Sequence, residues 1–208
     1  MPNLGAPEFA RLFGIEASDM PGECRALIDT CDFTYEVLVG EDRDRVILGV
    51  LKVLEGDLAV SGPDRLAAWE RGWSQNLQEF VKTKDTKALL PFYNRGTTPT
   101  MRLEGEYIAP TSASFEEDFL AVMKRWLAMR YLADATHVYE FGCGPGHNLL
   151  AFAEMFPDKA YHGLDWATAS QRIIEHIGEV REACFDGRNF DMFNPDASYR
   201  LEPDSVII

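Results

Sequence analysis

The sequence predicts an α/β protein in which strands alternate with crossover helices behind an N-terminal helical region. Three observations carry this. An apolar strand at Val138-Tyr139-Glu140-Phe141 runs straight into a glycine turn and then a helix. A further strand, Ala160-Tyr161-His162-Gly163-Leu164-Asp165, ends on a carboxylate about twenty residues beyond those glycines. Ahead of both, apolar residues recur at helical spacing through residues 1–93.

In chain order, Val46, Ile47, Val50, Leu51 and Leu54 make the first apolar stripe. Behind Pro63, a helix-start signal, Leu66, Trp69, Trp73, Leu77 and Phe80 recur every three or four residues, and aromatics at that spacing read as core. The glycine and proline of Asn94-Arg95-Gly96-Thr97-Thr98-Pro99-Thr100 suggest a junction. Met101 to Ile108 alternates weakly, as an extended segment would. Ser114-Phe115-Glu116-Glu117 has the spacing of a capping box, opening a helix with Phe119, Leu120, Met123, Trp126, Leu127 and Tyr131 that is expected to cover the sheet. The expected division is a helical region 1–93, a linker 94–113 and a nucleotide-binding domain 114–208.

The corner after the strand is the most informative segment. Gly142, Gly144 and Gly146 alternate with Cys143 and Pro145, which lets the backbone turn at positive φ and lie against a ligand. Leu149-Leu150-Ala151-Phe152-Ala153 then starts a helix whose free N–H groups face that ligand. A dinucleotide fingerprint needs G-x-G-x-x-G; here the third glycine comes one residue early and His147 stands at the sixth position, a poor match to NAD. Cys143 lies where a small side chain is needed and reads as steric fit rather than as a nucleophile. His147 opens the helix after the glycines, where it reads either as a cofactor contact or as an exposed first-turn residue, and is not assigned a catalytic role.

Beyond Asp165, Thr168-Ala169-Ser170-Gln171 has capping-box spacing, and Ile173, Ile174, Ile177 and Val180 continue a second crossover helix. A third strand is expected near Arg181 to Phe185, followed by Phe190-Asp191-Met192-Phe193 and the turn former Asn194-Pro195-Asp196. Asp204-Ser205-Val206-Ile207-Ile208 opens a fourth strand.

The segment Glu140-Phe141-Gly142-Cys143-Gly144-Pro145-Gly146, an acidic residue followed by G-x-G-x-G, resembles the first motif of class I S-adenosylmethionine-dependent methyltransferases. The resemblance covers residues 114–208. It implies a Rossmann-like, mostly parallel sheet, of which the chain holds the first four strands in the order 3-2-1-4. It also implies S-adenosylmethionine as cofactor, S-adenosylhomocysteine as product, and methyl transfer to an O, N or C atom of a small-molecule acceptor. The cofactor has no pyrophosphate, and Glu140 suits its cationic end. By the same resemblance Asp165 is the ribose ligand, Trp166 lies on the adenine face, Asp191 accepts from the adenine amino group and Met192 packs on the ring, with Asp186 a rival to Asp191. The glycine-turn residues Gly142, Cys143, Gly144 and Gly146 complete the cofactor set.

The family places its catalytic and acceptor-orienting groups after strand four, so no catalytic residue is named. The apolar edge of Val206, Ile207 and Ile208 leads to the expectation of a longer parent protein, with the sheet broken off in its fourth strand here. Residues 1–93 are expected as a lid over the cofactor or as a packing appendage, with 101–108 crossing the cofactor mouth; a lid would be removable without unfolding the remainder. Two other readings stay open: a NAD-dependent oxidoreductase, and a non-catalytic methyltransferase-like binding module.

Composition narrows the partners. Hydrophobic residues at 46% and charged residues at 26% allow a sizeable core beneath a solvated surface. Twenty Lys and Arg against 34 Asp and Glu give a formal charge of −14, which repels phosphate backbones and argues against a nucleic acid partner. Cys24, Cys31, Cys143 and Cys184 form no C-x-x-C pair, and neither a leader nor a membrane-spanning run is read; cytoplasmic residence with reduced thiols is the expectation. His137, His147, His162 and His176 are dispersed, so no metal is expected. The reading allows a homo-oligomer.

Overall fold

The structure, a computed structural model, describes residues 1–56, 62–91 and 99–208. Most of the expected junction, 94–98, lies outside the described residues. Chain contacts group the protein into two compact units, Met1–Val60 with Gly96–Trp126, and Ser61–Arg95 with Leu127–Ile208. This is not the linear division expected from sequence. The chain enters the second unit at residue 61, returns to the first, and re-enters the second within one continuous helical stretch.

The first unit contains helices α1 (Ala6–Phe13), α2 (Gly22–Thr30) and α3 (Gly40–Glu55) and strand β1 (Tyr35–Val37). Strands β2 (Met101–Leu103) and β3 (Glu106–Pro110) form a hairpin. Its turn residues Glu104 and Gly105 both have positive φ, as a tight hairpin turn demands. The hairpin pairs through β3 with β1, giving an antiparallel sheet β1-β3-β2. The segment expected at a cofactor mouth is therefore built into a sheet of its own. Helix α5 (Phe115–Leu127) contributes Phe115 and Val122 to a core with Phe9, Cys24, Ile28, Phe33 and Ile108.

That placement corrects the expectation that α5 covers the parallel sheet. Its buried residues are Phe115 and Val122, whereas Leu120, Met123 and Tyr131 were read as part of the core stripe. A π-helical turn, Ala128–Leu132, follows directly, and the wider turn rotates the next residues so that Ala128 and Leu132 enter the second unit's core while Tyr131 is exposed. The expected capping box does not form as read either: the Ser114 hydroxyl donates to the Asp118 carboxylate at 2.7 Å.

The second unit is the α/β part. Strands β4 (His137–Phe141), β5 (Ala160–Asp165), β6 (Phe185–Asn189) and β7 (Ser205–Ile207) form an all-parallel sheet in the order β6-β5-β4-β7. Helix α6 (His147–Met155) connects β4 to β5, and α7 (Thr168–Arg181) connects β5 to β6. The third strand of this sheet starts at Phe185, where the sequence reading ended it, because α7 continues through Arg181.

Alternation along the strands sends Val138, Tyr161, Gly163, Phe185 and Gly187 to the face that α7 covers. Gly187 is required there, since a Cβ would lie 2.3 Å from the Gln171 carbonyl oxygen of α7. Helix α4 (Leu66–Thr83) packs on α7, and its Trp73 and Phe80 share one core with Leu149, Tyr161, Ile173, Ile174 and Ile177. Part of the region expected as a lid or packing appendage thus packs in this core. Deleting residues 1–93 would strip Trp73, Phe80 and Leu89 from the core that supports the parallel sheet.

Candidate cofactor site

The site is built where β4 and β5 end side by side. The N–H groups of Gly142 and Cys143 both donate to the Leu164 carbonyl, at 2.7 and 3.2 Å, so the glycine turn is pinned to the end of the neighbouring strand. Gly144 (φ 52°) and Gly146 (φ 71°) take the left-handed conformation that a side chain resists. Gly146 caps α6, and a Cβ on it would lie 2.4 Å from Ile174 Cδ1, so this glycine answers to helix packing. A Cβ on Gly144 would lie 3.1 Å from the Trp73 indole.

Asp165 ends β5 and is 6% exposed. One carboxylate oxygen accepts from Gly144 N–H at 3.0 Å and the other from Ala167 N–H at 2.8 Å. The same side chain thus holds the glycine turn and the start of α7. An ionised carboxylate offers about four acceptor positions, so acceptor capacity remains for a ligand hydroxyl. Burial pushes the Asp165 carboxyl above its ordinary range, and the two N–H donors oppose that rise.

Asp165 and Trp166 form one side of a cavity of about 330 Å³, whose floor includes Gly142. Helix α4 supplies the facing wall with Trp69 and Trp73, their rings stacked at 5.4 Å. Phe190, Met192 and Phe193 from the loop after β6 complete it. That loop is fixed by Phe190 N–H donating to the Asp165 carbonyl at 3.0 Å and Asn189 Nδ2 donating to the Trp166 carbonyl at 3.0 Å. Trp166 and Phe193 approach to 5.5 Å between ring centroids. Among the described residues lining the cavity, Asp165 alone is ionisable.

Of the residues singled out from sequence, Gly142, Asp165, Trp166 and Met192 meet at this cavity. Glu140 is buried on the last turn of β4, where its Oε1 accepts from Asn148 Nδ2 at 2.7 Å. Cys143 faces inward, with Sγ 3.5 Å from the Ser170 hydroxyl, and burial pushes its thiol up, which suits filling space rather than nucleophilic attack. Asp191 accepts from Phe193 N–H at 2.8 Å, folding the turn that presents Met192 and Phe193, and is not itself among the lining residues. The rival Asp186 points to the other side of β6, accepting from Arg188 Nε at 2.6 Å and lying 3.3 Å from His162 Nδ1. Burial holds the His162 imidazole below its ordinary range.

The sequence reading missed the α4 wall. Trp69 and Trp73 carry the spacing of a core stripe, and Trp73 does belong to the core; its indole edge also faces the glycine turn. The capping box read at Thr168 was also wrong in its partner. The α7 N-cap is Ala167 with no side-chain cap, and Ala169 N–H donates instead to Glu70 of α4, at 3.1 and 3.3 Å to its two carboxylate oxygens. The Ser170 hydroxyl bonds the Gly144 carbonyl, and Gln171 Nε2 donates to the Asp165 carbonyl at 3.2 Å. Among the described residues no group of three or more His, Cys, Asp or Glu is placed to hold a metal ion, and no helix is long and apolar enough to cross a membrane.

No family model matches the chain, and no curated protein does. Among solved structures it is similar to coclaurine N-methyltransferase bound to N-methylheliamine and S-adenosylhomocysteine, at 16% identity over 75% of this chain and 52% of that one, with a TM-score of 0.37. It is similar to the S-adenosylmethionine-dependent methyltransferase SibL in its apo form, at 15% identity over 93% of this chain and 57% of that one, TM-score 0.30. A third is the N,N-8-amino-8-demethyl-D-riboflavin dimethyltransferase RosA from Streptomyces davawensis, at 16% identity over 92% of this chain and 58% of that one, TM-score 0.25. The chain spans between half and three fifths of the length of these structures. Superpositions this slight carry no argument of their own, and the functional reading rests on the site's residues.

Proposed function

We propose that the chain carries the cofactor-binding part of a class I S-adenosylmethionine-dependent methyltransferase acting on a small-molecule acceptor. The observation that carries the reading is Asp165. A carboxylate at the end of the second parallel strand clasps the glycine turn of the first and opens, beside Trp166, into an aromatic cavity. That arrangement suits a ribose diol on Asp165 and a purine against Trp166, Met192 and Phe193. The donor set fits a cofactor without pyrophosphate: the lining offers π faces and a carboxylate, attractive to a cation and unfavourable to phosphate.

S-Adenosylmethionine, when bound, supplies an electrophilic methyl group. The protein's own contribution is positional. Asp165 and the glycine turn would hold the ribose, and the Trp69–Trp73 wall would exclude water from the cavity; Glu140, buried at the end of β4 and outside the cavity lining, would offer its charge to the ligand's cationic end. Residues 62–91 act here as a cavity wall rather than a removable lid. No residue is assigned to acceptor deprotonation, and the acceptor and the atom methylated belong to the same proposal as unnamed.

Calorimetric titration with S-adenosylmethionine, S-adenosylhomocysteine and NAD tests it. Micromolar binding of the first two with no NAD binding is expected. Binding of NAD alone would overturn the methyltransferase reading in favour of a dehydrogenase.

A further inference from the structure

The first turn of α7 begins two residues past Trp166, beside the carboxylate that reads as the ribose ligand. Free N–H groups at such a helix start attract anions, and with the helix dipole they form a ready phosphate site. In this protein two of those donors are taken by carboxylates. Asp165 accepts from Ala167 N–H, and Glu70 accepts from Ala169 N–H through both oxygens. Glu70 comes from α4, one residue from the cavity-lining Trp69 and three from Trp73. Its position is held by the packing of α4 on α7 and by buried Asn76, whose Nδ2 donates to the carbonyls of Ala88 at 2.6 Å and Leu90 at 3.0 Å. The Glu70 charge also reaches Asp165, which it helps to keep above the ordinary carboxylate range.

We propose that Glu70 determines the class of nucleotide the site accepts: it fills the anion-binding end of α7 with a protein carboxylate and turns away nucleotides phosphorylated on the ribose. This rests on the reading of Asp165 as the ribose ligand. An uncharged ribose diol meets two carboxylates as acceptors, whereas a 2′-phosphate in the same place meets two like charges, with the Ala167 and Ala169 N–H groups already donating to them. Selectivity against phosphorylated ribose is thereby placed on α4, not on the glycine turn.

The test compares S-adenosylhomocysteine with adenosine 2′,5′-bisphosphate as calorimetric probes of the full chain. The wild-type protein is expected to prefer the first by at least a hundredfold. Glu70→Gln keeps an acceptor for Ala169 and removes the charge, and is expected to reduce that preference at least tenfold; Glu70→Asp, which keeps the charge, is expected to preserve it. Far-UV circular dichroism establishes that each variant is folded before its ratio is read, and the salt measurement on the wild-type protein decides if Glu70→Gln does not fold. A second measurement needs no variant: because the interaction is repulsive, wild-type affinity for the bisphosphate should rise as salt goes from about 50 to 500 mM, opposite to ordinary anion binding. An unchanged ratio in Glu70→Gln, or bisphosphate affinity that falls with salt, overturns the role of Glu70. A wild-type protein that binds no S-adenosylhomocysteine, while Glu70→Gln gains bisphosphate binding, overturns the cofactor reading and keeps the charge selection.

Discussion

Helices α3 and α4 carry comparable apolar stripes, yet the fold uses them in opposite ways. Along α3 no described residue is buried, and Leu51 and Leu54 of its apolar stripe are 50% and 62% exposed. Along α4, Trp73 and Phe80 are 7% and 1% exposed, Asn76 is fully buried, and the same helix supplies a cavity wall and the Glu70 carboxylate. Periodicity specifies that a helix forms and which side is apolar. Whether that side is covered depends on partner surfaces elsewhere in the chain, and among the described residues α4 finds one on α7 whereas α3 buries none of its own.

The sharpest way to test this contrast is truncation on the two helices. Phe80→Ala should destabilise the second unit by ~3–5 kcal/mol, because the cavity left against α7 refills poorly. Urea unfolding followed by tryptophan fluorescence reads this well, since Trp69, Trp73 and Trp166 all lie in that unit. A loss below about 1 kcal/mol would mean that α4 is not the core helix described. Next in size, Asn76→Ala should cost ~1–3 kcal/mol by leaving the Ala88 and Leu90 carbonyls without their side-chain donor.

Acidity gives a smaller effect with a definite sign. Burial raises the folded-state pKa of Asp165 above its unfolded value, so its ionised form is a cost to folding that is fully present above the folded pKa. That cost is relieved as pH falls through the folded pKa towards the ordinary carboxylate range. Relative to Asp165→Asn, the wild-type protein should therefore gain stability on acidification across that window; no relative change would place the carboxylate in a more solvated setting than its burial indicates, and a relative loss would mean that its N–H donors outweigh burial. The smallest change expected is from Leu51→Ala on α3, within about 0.5 kcal/mol. A loss of more than about 1 kcal/mol would reveal a surface covering that stripe in solution.

Much of the α/β unit was legible along the chain. The strand at 137–141, the glycine turn, the acidic end of the strand at 160–165 and the two crossover helices lie where periodicity and turn chemistry put them, because each is specified by neighbours within a few residues. Elsewhere distant residues decide. The α7 start looked like a local capping box, but Glu70, ninety-nine residues away in the chain, takes that place. The stripe of α5 runs through Phe119 and Trp126 onto the first unit's core, and the π-helical turn Ala128–Leu132 shifts the register only beyond it, leaving Tyr131 exposed.

Residues 137–165 by themselves determined a glycine corner between two strands with Asp165 at the end of the second, since hydrogen bonding and backbone conformation at such a corner are local. Only the tertiary structure decided what faces that corner. It brought Trp69, Glu70 and Trp73 from α4 against the glycine turn and the start of α7, and it left the equally periodic α3 uncovered. The physical reason is that apolar patterning states a helix's need for a partner, while the identity of the partner is fixed by complementary volume and unsatisfied N–H groups contributed from far along the chain.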